Sequence, residues 1–395
     1  MRLFYTLGIR LYALGIRIAS VWNPKAKLWI KGRENWEKQF ENYIAESDTY
    51  WFHCASLGEF EQGLPVMELL KAKGNKIVVS FFSPSGYEIK KNHPISNWIF
   101  YLPIDTKKNA EKIISILQPK AIVFVKYEFW ANLILTAREK NIKLSLIVGL
   151  FREGQIFFKP TGGLMRRVLG SFDHILVQNR ESQAILETIK INSIITGDTR
   201  FDRVNSNLSK PKNYPKIESY IAGKKVLVLG SVWKEDLDII GEFVNELSKD
   251  WSILLAPHNI DENTVKIMMS YFNNSGCYTD DEIPEQGVYI INTMGMLQHL
   301  YRYGHIAYIG GGFKTGLHNI LEPAVFGLPV IFGNQVDKFP EAKQFTEAGI
   351  GSKISSAAEL KISFEKFTQN DFGDKVKDFV HANLGASEKT AKIIS

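Results

Sequence analysis

Short apolar runs recur along the chain from Tyr50 onward, and amphipathic, helix-like segments separate them. Turn-forming residues flank most of these runs, as is typical of the buried strands of a parallel sheet. In the first half the predicted strands are Trp51–Ala55, Lys76–Phe82, Trp98–Leu102, Ala121–Val125, Leu144–Val148 and His174–Val177. In the second half they are Lys225–Leu229, Ile253–Ala256, Val288–Ile291, Ile306–Ile309 and Val330–Phe332. Strands that alternate with helices predict parallel sheets with helices on both faces.

A polar segment separates the two sets of strands. Because 395 residues are too many for one hydrophobic core, we predict an α/β fold with two Rossmann-like domains of similar size. Ligands of such sheets bind beyond the carboxyl ends of the strands, so we expect the domains to face a central cleft. The predicted boundaries are an N-terminal segment 1–33, a first domain 34–204, a linker 205–224, a second domain 225–365 and C-terminal helices 366–395.

The N-terminal segment is apolar from Leu3 to Trp22 except for Arg10 and Arg17, which share one face of a helix. Two arginines in its middle argue against a helix that spans a membrane. A helix lying on the bilayer surface tolerates both, and the basic stretch 25–33 would then meet anionic headgroups. We therefore predict an N-terminal membrane-associated helix on an anionic membrane surface. A helix packed on the protein's own core is the alternative, and a secretory signal is a weaker one.

The amino-acid composition limits the classes of binding partner that we expect. A net charge of +6 and a pI of about 8.9 favour an anionic partner, either a phosphate-bearing molecule or a membrane. Cys54 and Cys277 give neither a metal-ligand spacing nor a disulfide framework, so we expect a reducing compartment and no metal. Basic residues do not interleave with aromatics in a groove-like pattern, so we expect no nucleic-acid partner.

The stretch from Gly310 to Pro329 is the most distinctive in the chain. It joins a predicted strand to three consecutive glycines and then to a helix that opens near Asn319, with Pro323 in its first turn. A glycine turn before a helix N-terminus is an anion site, and Glu322 in the first turn can accept hydrogen bonds from sugar hydroxyls. The alternative is an ordinary turn between strand and helix that binds no ligand.

Two carboxylates and a cation follow predicted strands of the first half: Glu59, Glu128 and Arg200. Glu59 opens a helix, where it serves equally well as a base or as a partner of the helix dipole. Glu128 could be a surface pair of Lys126, and we expect His53, in an apolar strand, to be a core histidine. Two Rossmann-like halves, a glycine turn and a helix-borne glutamate suggest glycosyl transfer from a nucleotide sugar.

Several stretches, in order, resemble the 3-deoxy-D-manno-octulosonic acid (Kdo) transferases of lipopolysaccharide assembly. They lie between about Tyr50 and Phe345 and are His53–Glu59 (HCASLGE), Glu128–Trp130 (EFW), Gly197–Asp202 (GDTRFD), Ala256–Pro257, Met294–Gly295 and His318–Pro323 (HNILEP). The resemblance implies a GT-B type fold and a place at the cytoplasmic face of the inner membrane. It also implies CMP-Kdo as the donor, a lipid A precursor (lipid IV-A) as the acceptor, and no cofactor. The first domain would then bind the acceptor and the second the CMP-sugar.

The resemblance also implies roles for single residues. Glu59 would be the general base of an inverting single displacement that needs no metal, and Glu128 and Arg200 would steady the transition state. The implied contacts of CMP are Pro257, His258, Met294, Gly295, Met296, Asn319, Ile320, Leu321 and Glu322.

The sequence departs from the family pattern at four positions. Lys126 stands where an acidic residue is common, and Arg200 where Lys is usual. His258 stands where Arg is commoner after Ala-Pro, and Met296 replaces an acidic residue. A histidine is charged only when it is protonated, so the nucleotide contacts are affected more than the chemistry.

Other functions stay open from the residues alone. A lipid-directed GT-B transferase with a UDP donor would need contacts for a second phosphate. A nucleotide-sugar epimerase or an NAD enzyme is a different class, although no clear G-x-G-x-x-G follows the first strand. A non-catalytic, membrane-bound binding module would not explain carboxylates at the ends of strands.

Overall fold

The computed structural model describes residues 1–209, 212–247, 249–314 and 316–395. They form two compact units, which we name domain 1 (residues 1–203 and 384–395) and domain 2 (residues 204–383). Each domain contains a seven-stranded sheet in which the paired strands are parallel. The prediction of two parallel α/β domains is therefore confirmed.

The sheet of domain 1 has the strand order β3-β2-β1-β4-β5-β6-β7. Its strands are β1 Thr49–Cys54, β2 Lys76–Phe81, β3 Trp98–Tyr101, β4 Ala121–Val125, β5 Lys143–Gly149, β6 His174–Val177 and β7 Ile194–Ile195. Its helices before domain 2, the last of which crosses the boundary between the domains, are α1 Arg2–Ala19, α2 Pro24–Lys31, α3 Leu57–Ala72, α4 Pro84–Lys90, α5 Lys107–Leu117, α6 Ala131–Glu139, α7 Gly163–Leu169, α8 Arg180–Glu187 and α9 Thr199–Asn205. Every residue of the central strands β1 and β4 is buried, because helices cover both faces of the sheet.

The sheet of domain 2 has the order β10-β11-β9-β8-β12-β13-β14. Its strands are β8 Lys225–Val232, β9 Trp251–Pro257, β10 Ser275–Cys277, β11 Val288–Ile290, β12 Ile306–Ile309, β13 Val330–Gly333 and β14 Gly351–Ile354. Its helices are α10 Pro215–Ile221, α11 Lys234–Glu246, α12 Glu262–Met269, α13 Leu297–Leu300, α14 Leu321–Ala324, α15 Pro340–Glu347, α16 Ala357–Gln369 and α17 Gly373–Ala382. A final helix, α18 Ala386–Ile394, belongs to domain 1.

All the predicted strands are present, and the structure adds three that the apolar pattern missed: β7, β10 and β14. Each of the three lies at an edge of its sheet. An edge strand is short and covered on fewer sides, so it does not need the continuous apolar run that marks a central strand.

The predicted linker 205–224 is in part wrong, because helix α10 lies within it and belongs to domain 2. Ile217 and Tyr220 of this helix are buried, and the Tyr220 hydroxyl donates to the carbonyl oxygen of Gly287 at 2.6 Å. Two anchoring residues in a polar segment are too few to give a recognisable helical pattern. The linker residues 210 and 211 lie outside the described residues.

The C-terminal segment 366–395 is divided between the domains. Helix α17 lies in domain 2, whereas α18 packs on α3 of domain 1. Asp202 accepts hydrogen bonds at 2.7 Å from the backbone N–H groups of Gly385 and Ser387, which fixes the start of α18.

Helix α1 packs on domain 1 along one side and has no fully buried residue. Arg2 at its start donates to the side chains of Asn132 and Thr136 at 2.8 Å, and pairs with Glu139 at 2.6 Å. In the described parts of the chain, no helix is both long enough and apolar enough to cross a membrane.

Candidate functional site

Glu59 lies in the first turn of α3, directly after β1. Its Oε2 atom accepts a hydrogen bond from the backbone N–H of Ala55, so the residue does serve the start of the helix. The side chain is also buried. Burial, followed by the charge of Glu128, raises the pKa of Glu59 to about 8, and Lys126 partly opposes this rise. Glu59 is thus an unusually basic carboxylate as well as a partner of the helix N-terminus.

Glu128 follows β4, the strand that pairs with β1 in the sheet. Parallel neighbours end at the same edge, which brings the loop of Glu128 next to the start of α3. The Oε2 atom of Glu128 accepts from the indole N–H of Trp130 at 2.7 Å and lies 3.0 Å from His53 Nε2. The two predicted glutamates are therefore together in domain 1, and the described hydrogen-bond partners of Glu128 are Trp130 and His53.

His53 is fully buried, as expected, but it is bound to Glu128 rather than being a packing residue. Its Nδ1 atom lies 2.8 Å from Ser80 Oγ, which itself accepts from the indole N–H of Trp51 at 2.8 Å. Among the described contacts of Ser80, His53 Nδ1 is the one acceptor for the hydroxyl proton. In the tautomer that accepts this proton, His53 carries its own proton on Nε2, which lies 3.0 Å from Glu128 Oε2 and 2.8 Å from the indole nitrogen of Trp130.

This arrangement is a continuous chain of hydrogen bonds from Trp51 through Ser80 and His53 to Glu128. Trp130 completes it, because its indole N–H faces both Glu128 Oε2 at 2.7 Å and His53 Nε2 at 2.8 Å. Buried and fully satisfied networks of this kind hold their members in one geometry. The chain thus fixes the carboxylate that raises the pKa of Glu59.

The backbone is strained beside the glutamates. Lys126 has a φ of 69°, in the left-handed region that a non-glycine residue rarely adopts, and its N–H donates to the carbonyl oxygen of Ile147 at 2.9 Å. Strained residues of this kind collect at functional sites. Lys126, one of the departures from the family pattern, supplies a positive charge that lowers the pKa of Glu59.

Arg200 is placed at the start of α9 and binds Asp198, with an ion pair of 2.7 Å and further contacts from Nε. The rest of its motif is structural: the Thr199 hydroxyl donates to the carbonyl oxygen of Gln62 in α3 at 2.6 Å, and Asp202 holds the start of α18. The motif thus locks two helices around the sheet, and the contacts described for Arg200 join it to Asp198.

In domain 2 the predicted nucleotide contacts follow the carboxyl ends of three strands of the same parallel sheet. Pro257 and His258 lie at the end of β9, Met294–Met296 follow β11, and Asn319–Glu322 follow β12. Met294 is exposed, whereas Met296, at the start of α13, is buried.

Three rings stack at this edge of the sheet. Trp233 lies parallel to His258 with ring centres 3.9 Å apart, and His258 lies 4.6 Å from His318. The indole N–H of Trp233 donates to His318 Nε2 at 2.9 Å, which places the proton of His318 on Nδ1. Burial lowers the pKa of His258, and burial followed by His258 lowers the pKa of His318 to about 4. Both rings are therefore neutral at pH 7.

Asp236 organises the loops around this stack. The buried carboxylate accepts hydrogen bonds from Trp233 N–H and Tyr308 Oη at 2.7 Å, and from Gly311 N–H at 3.2 Å. A Cβ on Gly310 would lie 2.6 Å from Asp236 Oδ2. Backbone packing thus requires a glycine at this position whether or not a ligand binds.

The helix expected near Asn319 is much shorter than predicted. Helix α14 is the single turn Leu321–Ala324, since the chain before it is irregular and Gly327, with a φ of 85°, ends the turn that follows. A single turn has little macrodipole, so the predicted anion site loses its main physical support. Asn319 remains beside Glu322, to which its side-chain amide donates at 3.2 Å.

Sequence reasoning missed three residues of these sites: His53 as a partner of Glu128, Trp233 as a stacking ring, and Asp236 as a buried acceptor. Each had a signal: His53 is a polar residue inside an apolar strand, Trp233 is an aromatic residue directly after a strand, and Asp236 is an acidic residue in the first turn of the helix that follows. Within the described residues, no group of three His, Cys, Asp or Glu side chains is placed to hold a metal ion.

Comparisons with known proteins show which proteins this chain is similar to. Residues 34–203 match the family model of the 3-deoxy-D-manno-octulosonic-acid transferases (kdotransferases). A 3-deoxy-D-manno-octulosonic acid transferase of Aquifex aeolicus is 28% identical over 319 residues, covering 78% of this chain and 83% of that protein. One of Chlamydophila psittaci is 25% identical over 335 residues, covering 79% and 76%.

Solved structures share the fold. The UDP-GlcNAc 2-epimerase of Neisseria meningitidis bound to UDP-GlcNAc has a TM-score of 0.61 at 16% identity, covering 88% of this chain and 98% of that one. The UDP-GlcNAc 2-epimerase of Methanocaldococcus jannaschii has a TM-score of 0.58 at 13% identity, covering 85% and 99%. At such identities the likeness concerns the two-domain architecture alone. With the family model matching residues 34–203 and relatives of 25% and 28% identity along most of its length, the chain is similar to the 3-deoxy-D-manno-octulosonic acid transferases.

Proposed function

We propose that this glycosyltransferase moves Kdo from CMP-Kdo to a hydroxyl group of a lipid A precursor in lipopolysaccharide biosynthesis. The observation that carries the proposal is the pairing of Glu59 with Glu128 and His53, inside the region that matches the family model. A buried, unusually basic carboxylate is the group that removal of a proton from a sugar hydroxyl requires.

In this proposal Glu59 takes the proton of the acceptor hydroxyl as its oxygen attacks the anomeric carbon of Kdo. CMP leaves from the opposite side, so one displacement inverts the anomeric centre. Because the pKa of Glu59 is about 8, the carboxylate must lose its own proton before it can act. The rate should therefore rise with pH towards that value.

Domain 2 would bind the CMP part of the donor at the ends of β9, β11 and β12. The proton on His318 Nδ1 can be donated to a ligand oxygen, and Asn319 and Glu322 can bind ribose hydroxyls. Arg200 is proposed, from the family pattern, to steady the transition state together with Glu128. The neutral His258 would leave less positive charge at this site than the arginine that is commoner in the family.

We further propose that α1 rests on the cytoplasmic face of the inner membrane. An apolar stripe runs along the side of the helix that domain 1 leaves uncovered, and every residue in it is more than half exposed: Leu3, Leu7, Leu11, Leu14 and Ile18. An amphipathic helix with this apolar stripe and a basic flank lies in the interface of an anionic bilayer.

Thermal shift measurements with CMP, UDP and NAD, each with and without Mg²⁺, test the donor. A ligand that binds only the folded state raises the Tm by mass action. We expect a shift with CMP that does not depend on Mg²⁺. A shift with UDP or NAD alone would contradict the proposal and favour the UDP-dependent transferase, the epimerase or the dehydrogenase.

Transfer itself is tested by incubating the purified chain with CMP-Kdo and lipid IV-A. Mass spectrometry should detect a glycolipid that is heavier by one or more Kdo units. A chain that binds CMP but forms no such product would not be a Kdo transferase towards this acceptor.

A further inference from the structure

A cavity of about 430 Å³ lies between α1, α2 and the start of α5. Three arginines line it: Arg10 and Arg17 from α1, and Arg33 from the residues after α2. Leu14 and Trp29 contribute to its apolar wall. The cavity thus combines concentrated positive charge with an apolar lining.

Arg10 and Arg17 are exposed, and the guanidinium group of neither has a hydrogen bond or ion pair with the described part of the chain. Being seven residues apart, they project from the same face of α1, about 10 Å from each other along the helix axis. Glu34 also lines the cavity, but it forms no ion pair with these arginines. Both guanidinium groups are therefore available to an anion.

Arg33 is buried and has no carboxylate partner among the described residues. Its guanidinium donates to the carbonyl oxygens of Leu102 and Phe82 at 2.8 Å and of Trp29 at 3.1 Å, and it stacks on the Trp29 ring at 3.9 Å. Burial lowers the pKa of Arg33 to about 9. A buried cation without a counter-charge is costly, so an anion that enters the cavity would be stabilised.

Apart from Glu34, the charged residues that line the cavity are basic. Residues 1–33 contain no aspartate or glutamate, and their basic residues are Arg2, Arg10, Arg17, Lys25, Lys27, Lys31 and Arg33. Leu14 belongs both to the cavity wall and to the exposed apolar stripe of α1. A ligand with an anionic head and an apolar tail therefore finds both of its parts matched on one continuous surface.

The cavity also adjoins the glutamates of domain 1. Phe82, whose carbonyl oxygen binds Arg33, stacks on Trp130 with ring centres 4.7 Å apart, and Trp130 binds Glu128. Two aromatic rings thus separate the arginine cluster from the carboxylates.

We propose that this cavity binds the phosphate group of a lipid whose acyl chains lie along the apolar stripe of α1. The inference rests on the proposed membrane contact and deepens it, because it assigns a discrete phosphate site instead of general attraction. The phosphate could be that of a bilayer phospholipid or that of the phosphorylated acceptor lipid, and the two sources are separable by experiment.

The test compares two double variants that each remove two exposed positive charges. The variant R10Q/R17Q changes the cavity, and the matched control K25Q/K27Q changes exposed lysines of α2 that do not line it. Circular dichroism and the Tm should show that both variants are folded. General attraction to an anionic surface depends on the number of cations and not on their positions. If it alone acted, the loss of two positive charges would weaken binding equally in both variants.

The first assay measures binding to phosphatidylcholine vesicles that contain phosphatidic acid. We expect R10Q/R17Q to bind about tenfold more weakly than K25Q/K27Q, in line with the loss of two charge-assisted hydrogen bonds. This result would support the site with a bilayer phospholipid as its occupant. It does not depend on transfer activity, so it holds even if the chain proves not to be a Kdo transferase.

The second assay measures the KM for the phosphorylated acceptor in neutral detergent micelles. Equal vesicle binding by the two variants, with a KM that rises only in R10Q/R17Q, would support the site with the acceptor's phosphate as its occupant. If the two variants behave alike in both assays, the cavity is not a phosphate site and the inference is overturned.

Discussion

The two domains build their polar sites from different kinds of side chain. In domain 1 two glutamates share one edge of the sheet, and a buried histidine holds one of them in place. In domain 2 a tryptophan and two neutral histidines stack above a buried aspartate. The first site gathers negative charge and so raises the basicity of Glu59. The second offers ring faces and neutral donors, which suit a nucleotide better than proton removal.

The sharpest test of this difference is Glu59→Gln. Removing a general base lowers kcat on the order of 10³-fold, while CMP binding by domain 2 should not change. Transfer is measured by mass spectrometry and CMP affinity by calorimetry. The exposed Glu68 of the same helix provides the control, and Glu68→Gln should transfer normally. Near-normal turnover by Glu59→Gln would remove this residue as the base.

Glu128→Gln should alter the pH profile as well as the rate. The charged groups that act on Glu59 are Glu128, which raises its pKa, and Lys126, which lowers it. The wild-type rate is lost as pH falls through about 8, where Glu59 gains a proton. Without the charge of Glu128 the pKa of Glu59 falls, so this acidic limb should move to lower pH.

The pH–rate profile also shows whether the buried hydrogen-bond chain positions Glu128 or only packs the core. His53→Phe should move the limb in the same direction, because Glu128 then loses the partner that holds it beside Glu59. A variant whose rate drops equally at every pH, with the limb unmoved, would show that the buried chain serves stability alone.

His258→Arg should have the smallest effect and should act on domain 2 alone. An arginine can keep the stack on Trp233 and adds a positive charge to a site where both histidines are neutral. We expect the Kd for CMP to fall about three- to tenfold, with a stronger dependence on salt. An unchanged Kd at low salt would place the phosphate of CMP elsewhere.

Much of the fold was predictable because central parallel strands are apolar throughout, and the edge strands were missed because they are not. Glu59 and Glu128 could be predicted because they follow strands directly. The partnership of His53 with Glu128 could not, since it depends on which strands are neighbours in the sheet. The glycines after β12 have a packing reason that no single sequence reveals: Gly310 lies against Asp236, more than seventy residues away.

The length of the helix after those glycines was overestimated for a related reason. A pattern from Asn319 to Gly327 is compatible with a helix, but the irregular chain before it leaves one turn, Leu321–Ala324. Helix propensity and the position of a proline alone do not determine how many residues of such a segment are helical.

The position of helix α18 in the sequence affects the order in which domain 1 can fold during synthesis. Domain 1 is interrupted by the whole of domain 2, and its last piece is the helix that packs on α3, which carries Glu59. On a ribosome the sheet of domain 1 emerges early, but α3 stays uncovered on one side until some 180 further residues have been synthesised. The base of the proposed reaction would therefore be among the last parts of the nascent chain to reach its final surroundings, after domain 2 has already been synthesised.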